Sequence, residues 1–162
     1  MTTRKKLRDQ LTKHFIPALR QRGFTGPDTI SGNSLLHTFC RRSGDSAHVL
    51  SVQFDKWQTP RFVLNLHIEP PGGMDALIGS GHTFIQGRVS PRRGVSTGAW
   101  FRADRPWWQR LIGISSTREH EAVSAAISTL DEVDQWWQSQ SESRSIRNLS
   151  TTYRKTNATG NV

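Results

Sequence analysis

Six histidines and one cysteine are the side chains of this chain with the widest scope for chemistry. A metal centre needs several ligands at short spacing, and a nucleophile needs a base within hydrogen-bond reach. His14, His37, His48, His67, His82 and His120 form no HxH, HxxxH or HExxH pattern. Cys40 stands alone, which excludes an intrachain disulfide and any cysteine-rich zinc module. A lone Cys in a strand is normally a small packed side chain. No nucleophile elbow, P-loop or dinucleotide glycine pattern occurs, and Gly79, Gly81 and Gly87 lack the strand-then-helix setting of a phosphate loop. The expectation is a chain with no catalytic residue, no metal and no cofactor.

Binding chemistry is better represented. Leu50, Val52 and Phe54 alternate with Ser51, Gln53 and Asp55, and Phe62, Leu64, Leu66 and Ile68 alternate with Asn65, His67 and Glu69. Pairing these runs apolar to apolar predicts one polar face carrying Gln53, Asn65 and His67, with Arg88 joining from a later strand. Amides, an imidazole and a guanidinium suit a peptide or polar ligand, and they also suit the cross-strand hydrogen bonds of an ordinary solvated face. A second candidate surface is Arg102, Arg105, Trp107 and Trp108. A Trp exposed beside arginines suits a protein hot spot or a stacked base. Neighbours on a helix point about 100° apart, so one Trp of each pair (Trp107/Trp108 and Trp136/Trp137) is expected inward and the other at the rim. The plainer alternative is that both serve as outer core.

The charge is clustered. The formal net charge is +9 in 162 residues. Residues 1–26 hold seven Lys or Arg against Asp9, residues 88–110 hold six Arg against Asp104, and residues 144–162 hold four bases and no acid. Residues 111–143 reverse the sign, with Arg118 against six acids. Such an excess favours acidic proteins or nucleic acid, although a solvated basic surface needs no partner at all. Zinc-finger spacing, basic-region heptads and an aromatic ribonucleoprotein motif are all missing from the sequence. The basic N-terminus is followed by no apolar signal region, and no run approaches membrane-spanning length. These features predict a cytoplasmic protein.

Four to five strands and two main helices must position these residues. Leu7, Leu11, Phe15 and Leu19 predict a helix over Arg4–Arg22, stopped by Gly23 and kinked near Lys13 by Pro17. Strands follow within Leu35–Arg42, His48–Lys56, Arg61–Glu69 and Thr83–Ser90, with a short one around Val95–Phe101. In the first, Leu35/His37/Phe39 and Leu36/Thr38/Cys40 are both plausible inward sets. Asp104 can cap a brief helix carrying Pro106, Trp107 and Trp108. Ser116 and Glu119 have capping-box spacing before a helix whose apolar stripe is Val123, Ala126, Ile127, Leu130, Val133 and Trp137. The fold class is α+β, an antiparallel sheet with an N-terminal and a C-terminal helix on one face. Residues 1–138 form its single domain. Residues 139–162 offer few apolar side chains and read as a disordered basic tail.

The phrases LRQRGF, FCRRSGDSAHVLSVQF, RFVLNLHI and GRV, then a Trp-Trp pair after an acidic residue, follow one another in order. In this the chain resembles the bacterial family catalogued as domain of unknown function 4304, over roughly Leu7 to Trp137. The resemblance implies a small α+β domain and carries no activity with it.

Together these features predict a non-enzymatic interaction module whose basic and aromatic surface docks an acidic partner protein, as a bacterial accessory or immunity-type protein would. Sequence-nonspecific nucleic-acid binding is the first alternative. A hydrolase-like enzyme using His67 with Asp55 or Glu69 on the polar face is the second.

Overall fold

The computed structural model describes residues 3–73, 83–91, 100–103 and 118–152. Its first 19 described residues form one continuous helical segment: α1 (Thr3–Gln10), a π-helical turn (Leu11–Phe15) and α2 (Ile16–Gln21). The wide turn answers the Pro17 problem. Ile16 donates its N–H to the Leu11 carbonyl, five residues back, which opens the backbone where the proline ring would otherwise crowd the preceding turn. Leu7, Leu11, Phe15 and Leu19 are fully buried, as their spacing predicts. Gly23 (φ +80°) ends the segment with the expected left-handed stop. The Phe24 N–H reaches Leu19 O at 3.1 Å and the Gly23 N–H reaches Arg20 O at 2.9 Å, so Phe24 folds back onto the core.

Six strands make one sheet: β1 (Leu36–Ser43), β2 (Ser46–Phe54), β3 (Arg61–Glu69), β4 (Thr83–Val89), β5 (Phe101–Arg102) and β6 (Ile146–Thr152). The order is β1-β2-β3-β4-β6, and β5 continues the line of β4 along β3. All pairings are antiparallel. Between β5 and β6 lie α3 (Arg118–Ser128) and α4 (Leu130–Ser139). They pack with the N-terminal segment on one face, over Phe39, Leu50, Val52, Phe54, Phe62, Leu64 and Leu66. The class is α+β, and no helix among the described residues is long and apolar enough to cross a membrane. His37 and Phe39 settle the inward set of β1, leaving Leu36 exposed. The stripe expected as a single C-terminal helix is divided at Thr129, whose N–H and hydroxyl both donate to the Ala126 carbonyl. The brief helix expected after Asp104 and the residues 95–99 of the fifth strand lie outside the described residues.

Two expectations need correction. Residues 139–152 are not a disordered tail: α4 runs to Ser139 and β6 pairs with β4 from Ile146 to Thr152. The link between them is held by polar groups. Glu132 on α4 accepts from the Ser143 hydroxyl (2.6 Å), the Ser145 N–H (3.0 Å) and the Ser145 hydroxyl (3.1 Å). Its carboxyl, which burial alone would raise, is held below its ordinary range by these bonds and by Arg144. Second, the Trp136/Trp137 pair is not split between core and rim: both are buried, as the outer-core alternative has it. Trp137 stacks on His48 with ring centroids 5.0 Å apart, over the β1–β2 side. Trp136 lies over Gly87 of β4, where an added Cβ would come within 2.8 Å of the indole. Its Nε1–H donates to Asn148 of β6 at 2.7 Å. The strand overlooked in the sequence thus supplies the wall that keeps the second indole from the rim.

Candidate functional site

The sheet face opposite the helices collects most of the predicted binding residues. Register places Ser51 opposite Asn65 and Asn65 opposite Arg88. Gln53 lies one same-face step along β2, and its Oε1 accepts from the Asn65 Nδ2 at 2.9 Å. Arg88 Nε donates to the Asn65 Oδ1 at 3.0 Å. Gln53, Asn65 and Arg88 therefore form a hydrogen-bonded row across three strands. Thr38 and Ser51 extend it toward β1, hydroxyl to hydroxyl at 3.2 Å.

His67 lies on the same face beside Asn65, opposite Gln86. Burial lowers its imidazole below the ordinary 6.5, and the Glu69 charge works the other way. Asp55 does not join it. The register partner of His67 is Val49, six residues along β2 from Asp55, a separation of roughly 20 Å at strand spacing. Asp55 is buried at the end of β2 and paired with Arg61 at 3.0 Å. Burial would raise its carboxyl, but hydrogen bonds from Thr59 and the Trp57 N–H, with the Arg61 charge, hold it below the ordinary range. The expected Asp55–His67 pairing is thus replaced by a structural ion pair at the β2–β3 turn.

Other predicted residues are placed less fully. Arg102 is exposed on β5, opposite Arg61. Arg105, Trp107 and Trp108 lie outside the described residues. Register adds residues that sequence reasoning missed. Arg42 of β1 and Arg147 of β6 share this face and are exposed, as are the apolar side chains of Leu36 and Leu149 near its two edges. Val49, Ser51 and Val63 at its centre are buried. A groove of about 430 Å³, lined by Arg42, Ala47, Glu69 and the Pro70–Gly73 turn, adjoins the β1–β2 end. No apolar–polar alternation marks the last described strand, because Ile146 shares one face with Asn148 and Leu149 shares the other with Arg147.

Two arginine clusters lie on the helical side of the sheet. Arg22 and Arg41 bind Asp131 and Asp134 of α4, at 2.7 Å for Arg22–Asp131 and 2.8 Å for Arg41–Asp134. Arg41 also covers the rings of Phe24 and Trp137 and approaches His48 Nδ1 at 3.3 Å. Arg4 and Arg8, one helical turn apart, instead stand over Phe54, with guanidinium carbons 5.9 and 4.5 Å from the ring centroid. Among the described residues, no group of three or more His, Cys, Asp or Glu is placed to hold a metal ion.

Comparison of this chain with known protein families, curated proteins and solved structures finds no match.

Proposed function

We propose that this protein is a non-enzymatic interaction module that docks an acidic partner protein on the sheet face opposite its described helices. The carrying observation is the Gln53–Asn65–Arg88 row, a set of oriented amide and guanidinium groups flanked by exposed Arg42, Arg102 and Arg147. Fixed polar groups provide register, and the surrounding arginines provide attraction and speed of encounter. Leu36 and Leu149 offer apolar contact near the margins. Arg105, Trp107 and Trp108 of the six-Arg segment 88–110 lie outside the described residues and join this reading on charge and aromatic character alone. The resemblance to the domain of unknown function 4304 family would imply the same helix-on-sheet build and assigns no activity.

The test is affinity capture from the native host, with nuclease treatment and mass spectrometry, then reconstitution with the purified partner. A stoichiometric acidic protein that survives nuclease is expected. Arg42→Glu combined with Arg147→Glu, two exposed positions, should weaken it by roughly tenfold or more, and the loss should shrink in high salt. Unchanged affinity in the double variant would overturn the reading, and capture abolished by nuclease would replace it with nucleic-acid binding.

A further inference from the structure

We propose that the β2–β3 turn anchors a docking site for an acidic peptide segment that carries large apolar side chains. Trp57, on this turn, is 75% exposed, and Leu35 and Leu36, just before and at the start of β1, are 40% and 52% exposed. Among the described residues, the other exposed large apolar side chain is Leu149, at the far edge of the sheet. The first three gather at one end of the molecule. The Leu35 carbonyl accepts from the Phe54 N–H at 2.8 Å, and Leu36 is the register partner of Gln53. Both leucines therefore flank the strand end from which the turn departs. Clustered exposure of large apolar side chains marks a contact surface, and Trp is enriched among the residues that dominate such surfaces.

The turn holds its tryptophan in place. The buried Asp55 accepts from the Trp57 N–H at Oδ1 (3.4 Å) and from Arg61 Nε at Oδ2 (3.1 Å). The Gln58 N–H closes the turn on the Asp55 carbonyl at 3.2 Å. Gln58 itself has φ +61°, a left-handed backbone that is unfavourable for any residue but glycine. A buried carboxylate and a strained backbone thus fix a side chain that the core does not use. Such pre-organisation lowers the entropy lost on binding a partner of defined shape, whereas a lipid surface has no need of it. Lys56 Nζ stands 4.9 Å from the Trp57 ring centroid. Gln58 also borders a cleft of about 330 Å³ that Arg4, Lys5, Arg8 and Asp9 line from α1. Setting Asp55 against Arg61 and Asp9 against Lys5 leaves Lys56, Arg4 and Arg8, so the field around the patch is positive. The occupant is therefore acidic, and a second copy of a chain carrying +9 is disfavoured. The inference rests on the acidic-partner reading above, since Leu36 shares a face with Gln53, and adds to it the form of the partner and its anchor.

The test is selection of peptides from a random displayed library on the full chain, followed by calorimetric titration of the enriched sequences. Enriched peptides that combine Asp or Glu with Leu, Phe or Trp are expected, with affinity that falls as salt rises. Trp57→Ala should weaken them at least tenfold and Lys56→Glu severalfold. Both positions are exposed, and a dispersed amide NMR spectrum checks that each variant is folded. Should Trp57→Ala lose that dispersion, unchanged affinity in Lys56→Glu overturns the proposal instead. Absence of enrichment, enriched peptides without acidic residues, or unchanged affinity in a folded Trp57→Ala protein would each overturn it. Binding of phosphatidylserine vesicles or of a single-stranded oligonucleotide that Trp57→Ala abolishes would reassign the turn to lipid or nucleic acid, and so overturn it too. The protein partner captured from the host separates the two readings. Loss of its affinity in Arg42→Glu with Arg147→Glu but not in Trp57→Ala overturns the anchor alone, and the reverse pattern overturns the sheet-face reading alone.

Discussion

Arg4 and Arg8 begin the N-terminal helical segment, and Arg22, just beyond its end, meets Arg41 of β1. The two pairs are built from similar parts. Each has a guanidinium over an aromatic ring, a donor to a backbone carbonyl and a neighbouring histidine. They differ in one component. Arg22 and Arg41 are closed by Asp131 and Asp134, whereas Arg4 and Arg8 meet no paired carboxylate among the described residues. A closed cluster joins elements: here it ties the end of α2 and strand β1 to α4. An open one ties less, since Arg8 reaches only the carbonyls of Gly32 and Ser34. Residue type and stacking therefore say little about role, and the presence of the counter-charge says a great deal.

Breaking the closed cluster should have the largest effect. Asp134→Ala leaves two largely buried arginines short of their shared partner and should cost about 2 kcal/mol, read as a lower urea midpoint with unchanged slope. Acidification should act next. His37 and His48 both titrate below 6.5 in the folded chain, each through burial first and then a neighbouring arginine. The unfolded chain therefore takes up protons first as pH falls. Stability should be complete above about pH 6.5 and decline below it, measured as urea midpoints at pH 7.5 and 5.5. His37→Gln should flatten that decline more than His48→Gln, because the Asp134 charge partly favours the charged form of His48 while His37 has a hydrogen bond to the Ser34 backbone in that role. The smallest effect belongs to Arg4→Met. Removing a guanidinium with two unpartnered buried nitrogens from beside Arg8 should leave stability within about 1 kcal/mol of the parent, on the stabilising side. A loss comparable to that of Asp134→Ala would mean that the open cluster is structural after all.

Much of the sheet was legible in the sequence, because alternation along β2 and β3 has a single solution that buries one face. Arg61–Glu69 is β3 to the residue, and the polar row of Gln53, Asn65 and Arg88 follows from it. The inward set of β1 was open in the sequence because His37 and Thr38 are both polar and only packing against Phe54 decides between them. The last strand was missed for a different reason. Ile146 is its one buried apolar side chain among the residues whose burial is described, and its hold on the fold comes from Asn148, Ser143 and Ser145 bonded to Trp136, Gln140 and Glu132. Hydropathy cannot register such polar attachment. The pocket beside α1 was partly visible, since Arg4 and Arg8 have same-face helical spacing. Its other wall is made by Ile30, Ser31, Gly32 and Asn33, far along the chain, which no local pattern reveals.

Placing β6 after α4 in the chain yet beside β4 also orders the events of synthesis. The outer edge of β4 and the indole ring of Trp136 must wait for Asn148 and its neighbours to leave the ribosome. A nascent chain halted at the end of α4 would carry an uncapped sheet edge beside an unsatisfied tryptophan, the form most prone to pair with another copy before β6 arrives.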